Sequence, residues 1–361
     1  MVGVSDDNDG DGSKHRDSEG ARGETGQPVT LRQIAREAGV SIATVSRALR
    51  RPDTVSAQTR GRVLALVAQH RYVPDALAAS FSSGRSGLVG LIVPTISNSI
   101  YAAFTEAVQN RLQAAGRKLL IANTNYSATL ESEIVHKLVE SRVEGVIFTG
   151  YRRDGLLYDL LCHYRIPFVV TWSVSEDPLI PAISFDNFAA AKAATKLLTE
   201  LGHRRIGLIC GVSAVNDRAQ QRIAGFRAGL EEAGLDFDPS LVAERSFEVA
   251  EGAAAAEVIM ANASPPTALF CANDIQALGA LFACQRLGLA VPRDVSIVGF
   301  DDLPMSQVAN PPLATVRVPA QEMGEAAADA LVRAVDLGEP VQSRSLDAVV
   351  IVRASIAAPR C

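Results

Sequence analysis

From Leu88 onward, short apolar runs rich in β-branched residues alternate with stretches of helical periodicity, and this alternation limits the possible folds more than any other property of the chain. The runs Leu88–Val93, Lys118–Ala122, Gly145–Thr149, Pro167–Thr171, Arg205–Cys210, Thr267–Cys271 and Val295–Phe300 read as strands, with a last one over Leu346–Val352. Between them, Tyr101–Ala115, Leu130–Arg142, Asn187–Leu201, Arg218–Ala233, Ala250–Ala261 and Asp274–Leu287 read as helices. A strand that is apolar along its whole length must be covered on both faces, and strands joined through helices pair in parallel. So many units exceed one comfortable sheet, which predicts two similar α/β lobes. In open sheets of this kind ligands bind beyond the carboxyl ends of the strands, and two facing lobes make a cleft. Polar residues gather at those ends: Ser97 and Asn98, Asp186 and Asn187, Asn273 and Asp274, Asp301 and Asp302.

The segment ahead of the lobes has a different period. Leu31, Ile34, Ala35 and Ala38 recur at helical spacing and give a first short helix one apolar face. Gly39 stops it, since a helix end often needs a left-handed residue. Ser41 caps a second helix whose inner side is Val45, Ala48 and Leu49. Its other side carries Ile42, Ala43, Thr44, Ser46 and Arg47, a small and nearly flat surface of the kind that enters a DNA major groove. A third helix opens at Ser56 and runs through Val63, Leu64, Leu66 and Val67 towards Tyr72. Pro74–Phe81 is a short alanine-rich segment, too short to be a stable helix alone, and Ser82–Gly87 is a small polar linker.

Charge is distributed unevenly. The chain as a whole carries −5, yet between Val29 and Arg85 nine arginines stand against Glu37, Asp53 and Asp75, a local balance of +6. Basic charge concentrated in the helical head is what a phosphate backbone attracts. Residues 1–28 hold almost no apolar side chains and are expected to be a disordered tail. Asp6, Asp9 and Asp11 lack the closing glutamate of a calcium loop, so no metal is expected there. No signal-peptide core and no membrane-length apolar run are present, and five cysteines without metal spacing read as buried free thiols; a cytoplasmic protein without cofactor or membrane contact is expected. An enzyme would need an activated nucleophile, a metal set or a phosphate loop. The five histidines (15, 70, 136, 163, 203) are scattered, and His203 reads as a helix-end residue.

The wording "TLRQIAREAGVSIATVSRAL", "VSAQTRGRV", "YVPDALA" and "GLIVPTISN", followed by "FDN", "LGHRRIGLICG", "RIAGFRAGL", "CANDIQALGAL", "VPRDVSIVGFDD" and "PPLATV", resembles the lactose-repressor (LacI/GalR) family of bacterial transcription regulators from Val29 to about Arg353. The resemblance implies an α/β protein with an all-α helix-turn-helix head and a two-lobed, periplasmic-binding-protein-like effector domain of parallel sheets, the chain crossing between lobes three times. The expected division is a tail at 1–28, the head at 29–73, hinge helix and linker at 74–87, and the effector and dimerisation domain at 88–355. Candidate DNA-contacting residues are Thr30, Ser41, Ile42, Ala43, Thr44, Ser46 and Arg47 in the head, with Ala78 and Phe81 in the hinge. Candidate effector-binding residues are Tyr101, Asp186, Arg218, Arg222, Asn273 and Asp301, Arg222 occupying the place where the family has an effector-binding arginine. Asp186 and Asn273 serve equally well as helix caps. Trp172, the only tryptophan, fits either stacking on a sugar face or core packing.

The expected partners are a near-palindromic double-stranded operator, a second copy of the chain, and a small sugar or sugar acid. "LRRPDTVS", "FDNFAAA" and "ACQRLGLAVP" look most like the gluconate-repressor branch, and paired arginines suit a carboxylate. A purine ranks behind, because few aromatic residues are expected at the cleft, and a sugar-binding module without DNA function ranks last. The chain departs from the family at its hinge: Asp75 stands where an asparagine is usual and Phe81 where a leucine is usual. No leucine-heptad helix follows the last strand, which points to a homodimer.

Overall fold

The computed structural model describes residues 29–73, 85–175 and 177–360. The tail and the hinge residues Asp75, Ala78 and Phe81 lie outside the described residues. The chain divides into two compact units, Met1–Ala79 and Ser80–Cys361.

In the smaller unit, α1 (Leu31–Glu37), α2 (Ile42–Arg50) and α3 (Ala57–Gln69) enclose Ile34, Ala35, Ala38, Val45, Ala48 and Val63, with Leu49 half-buried at the edge. Each helix starts where a hydroxyl satisfies an orphan backbone N–H. Thr30 Oγ1 accepts from Gln33 N at 3.3 Å while Gln33 Oε1 accepts from Thr30 N at 2.8 Å; Ser41 and Ser56 cap α2 and α3 in the same way. Gly39 takes φ +62°, the left-handed turn that separates α1 from α2. His70 Nε2 lies 2.6 Å from Glu37 Oε2, fastening the end of α3 to the end of α1.

The larger unit contains two parallel sheets. The first lobe is built on β1 (Leu88–Val93), β2 (Lys118–Asn123), β3 (Gly145–Thr149), β4 (Phe168–Thr171), β5 (Ala182–Phe185) and β11 (Arg344–Leu346), in the order β11-β5-β4-β3-β1-β2. The second is built on β6 (Ile206–Cys210), β7 (Val242–Glu244), β8 (Ala268–Cys271) and β9 (Ser296–Val298), in the order β7-β6-β8-β9. Helices α4 (Ile100–Ala114), α5 (Ala128–Glu140) and α6 (Gly155–His163) connect the first set, and α12 (Ala320–Leu337) packs against α4. Helices α7 (Asn187–Glu200), α8 (Asp217–Glu232), α9 (Val249–Met260) and α10 (Asp274–Arg286) serve the second, followed by the short α11 (Pro304–Val308). The β1 and β3 interiors are buried along nearly their whole length, as two-sided coverage requires.

The expected last strand, Leu346–Val352, is two. Leu346 ends β11, parallel to β5 in the first lobe, whereas β12 (Val349–Ile351) runs antiparallel to β10 (Thr315–Arg317). Asp347 and Ala348 lie where the chain changes lobe, which one apolar run conceals in the sequence. The chain thus crosses after β5, after β10 and after β11. One continuous core joins the lobes: Phe185, ending β5, lies 6.2 Å from Phe300 beyond β9, and Phe300 lies 6.5 Å from Phe270. Of the described cysteines, Cys210, Cys271 and Cys284 are buried, but Cys162 on α6 is exposed, contrary to expectation.

Helices α7 and α8 pack closely because Gly225 has no side chain: a Cβ there would stand 2.2 Å from the Phe188 carbonyl oxygen. Gly225→Ala is therefore expected to destabilise the protein by about 1–3 kcal/mol. Urea unfolding should show a lower midpoint at unchanged slope; an unchanged midpoint would mean that the two helices separate without cost.

Candidate functional sites

The carboxyl ends of the two sheets face a narrow cavity of about 20 Å³ lined by Asn98, Tyr101, Tyr126, Trp172, Asn216, Arg218, Arg222, Phe247, Asn273 and Asp301, among others. Tyr101, Arg218, Arg222, Asn273 and Asp301 all reach it, from both lobes, although they lie up to two hundred residues apart in sequence.

Arg222 sits one turn and a half into α8, nearly buried, with its guanidinium carbon 3.8 Å from the centre of the Phe300 ring. Its Nε donates to Asn187 Oδ1 at 2.9 Å, its Nη1 to the Ala272 carbonyl at 2.6 Å, and Asp301 Oδ1 lies 3.7 Å away. Asn273 caps α10 through Oδ1, the capping reading, and its amide nitrogen donates to Asp301 Oδ2 at the cavity wall. Arg218 donates to Asp217 Oδ1 at 2.6 Å and shares the cavity wall with Tyr126, while Asp217 Oδ2 accepts from Tyr151 N of the first lobe at 2.8 Å.

Asp186 does not reach the cavity. It is exposed and caps α7 by accepting from Ala189 N at 2.9 Å, so its carboxylate serves the helix end. Its neighbour Asn187 turns inward instead, donating to the Trp172 carbonyl and accepting from Arg222. Trp172 is 1 % exposed and packs edge-to-face with Tyr101 at 5.1 Å and Phe104 at 5.5 Å, so core packing sets its position even though it lines the cavity. Asp274 and Asp302 point elsewhere. Asp274 accepts from Leu303 N, Ser306 Oγ and Thr315 Oγ1, and Asp302 holds Arg317 and Arg353. His203 lies outside the cavity lining, bonded to Thr267, Ser296 and the Ala357 carbonyl.

Sequence reasoning missed Asn216, which caps α8, and the aromatic residues Tyr126 and Phe247. Tyr126 takes φ +60° beyond β2, and Phe247 lies over Gly211 in the segment between β7 and α9. With Tyr101 and Trp172 they give the cavity four aromatic side chains, against the expectation of few. Asn123 and Asn125 at the end of the apolar run were the available signal for a tight turn, and Asn125 and Tyr126 do take left-handed backbone there.

Burial is the main influence on the charges here. It pushes Asp301 up to about 8, against the pull of Arg222 and the Asn273 amide and with a further push from Asp274. Burial likewise lowers Arg222, opposed by Asp301. At Arg218 burial is outweighed by Tyr101, Asp217 and Tyr126, and the group is held charged. An unfolded aspartate loses its proton near pH ~4, whereas folded Asp301 keeps it to about 8. Between those values the folded state binds more protons, so this group makes stability fall as pH rises. Asp301→Asn should flatten that decline between about pH 5 and pH 8 in thermal unfolding. Equal slopes for the two proteins would show an ionised Asp301 throughout.

In the head, Ile42 is 43 % exposed, and Ala43 and Arg47 are exposed beside it. Arg47 Nη2 donates to Thr44 Oγ1 at 3.3 Å, and Thr44 and Ser46 are half-buried. Thr30 and Ser41 are exposed, with their hydroxyls committed to capping. Among the described residues no helix is long and apolar enough to cross a membrane, and no cluster of three metal-ligating side chains occurs.

Comparison with known proteins matches residues 30–75 to the family described as bacterial regulatory proteins, lacI family, and residues 195–356 to the periplasmic binding protein-like domain. The HTH-type transcriptional regulator DegA of Bacillus subtilis (strain 168) is 34 % identical over 302 residues, covering 82 % of this chain and 88 % of its own. The HTH-type transcriptional repressor PurR of Haemophilus influenzae (strain PittEE) is 34 % identical over 311 residues, covering 85 % and 91 %. Among solved structures, the lac repressor dimer bound to operator and the anti-inducer ONPF superposes with a TM-score of 0.81 at 27 % identity, over 92 % of this chain and 100 % of that one.

Proposed function

Because the chain belongs to the lacI family of bacterial regulatory proteins, and is thus a DNA-binding transcriptional regulator and not an enzyme, we propose that it is a repressor whose hold on a near-palindromic operator is set by a small sugar or sugar acid bound between its lobes. The observation that carries the effector reading is the meeting of Arg218, Arg222, Asn273 and Asp301 in one cavity between two lobes. Arg222 already gives Nε and Nη1 to fixed acceptors, which orients the fork and leaves Nη2 for a ligand oxygen. With Asp301 pushed towards its neutral form, the two guanidinium groups outweigh the Asp217 carboxylate, which favours a sugar acid over a neutral sugar. Tyr101, Asp186, Arg218, Arg222, Asn273 and Asp301 were the sequence candidates; the proposed set drops Asp186 and adds Tyr126 and Phe247.

A planar base is the second reading. The four aromatic side chains at the cavity favour it, as does the similarity to a repressor named PurR. Calorimetric titration against sugars, sugar acids and purines separates the two. Arg222→Ala is expected to abolish the effector response while operator binding persists, since a buried charged hydrogen bond is worth about 1.5–3 kcal/mol. A variant that still responds at the wild-type ligand concentration would move the effector site elsewhere.

For DNA, the head is taken as 29–73, the hinge and linker as 74–87, and the effector unit as 88–355. One head covers few base pairs, so two copies on a two-fold operator supply affinity and specificity. Phe282 on α10 and Met305 and Val308 on α11 are exposed apolar side chains of the kind that a second copy would cover. Arg47 is assigned a guanine edge or a phosphate, Ile42 and Ala43 thymine methyl groups, and Phe81 a minor-groove wedge. Selection from random DNA should return half-sites related by a two-fold axis. A selected site without that symmetry would rule out the dimeric reading.

A further inference from the structure

Beyond Arg218 the cleft opens into a second, larger chamber of about 360 Å³, and Arg218 and Tyr126 belong to the walls of both. The second chamber is bounded by the ends of β1 and β3, the start of α5 at Ser127 and Ala128, and the segment leading into α6. It carries Arg152, Arg153 and Arg218 against Glu131, Asp154 and Asp217. Most of these groups are engaged. Arg153 lies over the Phe148 ring and donates to Glu131 and the Tyr158 hydroxyl; Asp154 caps α6; Asp217 and Arg218 hold each other.

Two groups are left over. Thr149 ends β3 and is 8 % exposed, yet its hydroxyl is buried without any hydrogen-bond partner. Arg152 is exposed and has no partner among the described residues. An unpaired buried hydroxyl is costly, and such groups call for an explanation. Three cations balanced by three carboxylates leave no excess charge to attract an anion, whereas a hydroxyl that both donates and accepts matches another hydroxyl. Gly150 lets the Arg218 side chain lie directly against the end of β3: a Cβ there would stand 2.1 Å from Arg218 Nη1.

We infer that the effector has two units: the sugar or sugar acid in the first cavity carries a second, neutral hydroxyl-bearing ring that occupies this chamber and satisfies Thr149. The inference rests on the cleft reading given above. Thr149 and Arg152 then determine how long a ligand the protein recognises, and Arg222 determines whether it binds at all.

The test is calorimetric titration of the full-length protein with glucose, gluconate, maltose, cellobiose, lactobionate and cellobionate. At least one two-ring probe should bind about tenfold or more tighter than its one-ring parent, the gain expected of one or two good hydrogen bonds. Thr149→Val and Arg152→Ala should each reduce that gain without changing one-ring binding. Thr149→Val should also leave the unliganded melting temperature unchanged or higher, because it removes an unsatisfied buried group; this separates lost recognition from lost folding. The inference is overturned if no two-ring probe binds, if none gains over its parent, or if the gain survives both substitutions. One-ring binding that disappears in Arg222→Ala would then leave the cleft reading standing. Two-ring binding that persists in Arg222→Ala would overturn both.

Discussion

Two guanidinium groups are buried between the lobes, and much of the surrounding architecture follows from the need to compensate them. A charge taken out of water is tolerated only when its hydrogens find fixed acceptors. For Arg222 those acceptors are Asn187 at the start of α7 and the Ala272 carbonyl at the end of β8, with the Asp301 carboxyl 3.7 Å away in the loop after β9 and the Phe300 ring beneath. Three strand ends must therefore converge within one guanidinium's reach. Arg218 adds the first lobe to the set, because the Asp217 that neutralises it also accepts from Tyr151 N. The cavity is thus the place where both sheets discharge their polar ends onto the same pair of cations.

How far this was legible in the sequence depends on the length of the signal. The long apolar runs of β1, β3, β6 and β8 announce a covered parallel sheet, and the matching helices were placed within a few residues. β5, β7, β10 and β11 were not proposed as separate strands: each has only three or four residues, too few for periodicity to stand out. Helix α12 also escaped, although its buried residues Ala320, Met323, Ala327, Ala328 and Leu331 recur at helical spacing and pack the first lobe. At the cavity, Tyr101, Arg218 and Arg222 inside helices, Asn273 just before one and Asp301 in a loop were found, whereas Asn216 at the head of α8 was not. Tyr126 and Phe247 come from loops, where conformation and not pattern decides what faces inward.

The Asp186–Asn187 pair shows the limit most clearly. Both are polar, both stand at the junction of β5 and α7, and either could cap the helix. The carboxylate takes the backbone N–H of Ala189 at the surface, while the amide, which donates and accepts at once, bridges the Trp172 carbonyl and Arg222 in the interior. A carboxylate could accept from Arg222 but could offer nothing to the carbonyl. The chemistry of the buried position selects the amide, and that selection becomes visible only once both neighbours are in place.

The third passage of the chain between lobes has a consequence for how the protein is made. The first lobe needs α12 to cover its sheet and β11 to finish its edge, yet those segments emerge from the ribosome only after the second lobe's four strands. The first 185 residues leave the exit tunnel as a sheet lacking both its edge strand and one of the helices that cover it. Such an intermediate exposes apolar surface and an open strand edge, the features that draw chaperones or invite aggregation. The second lobe, whose four-stranded sheet lies in one uninterrupted stretch, is free to condense first and offer a template onto which the returning chain closes its predecessor.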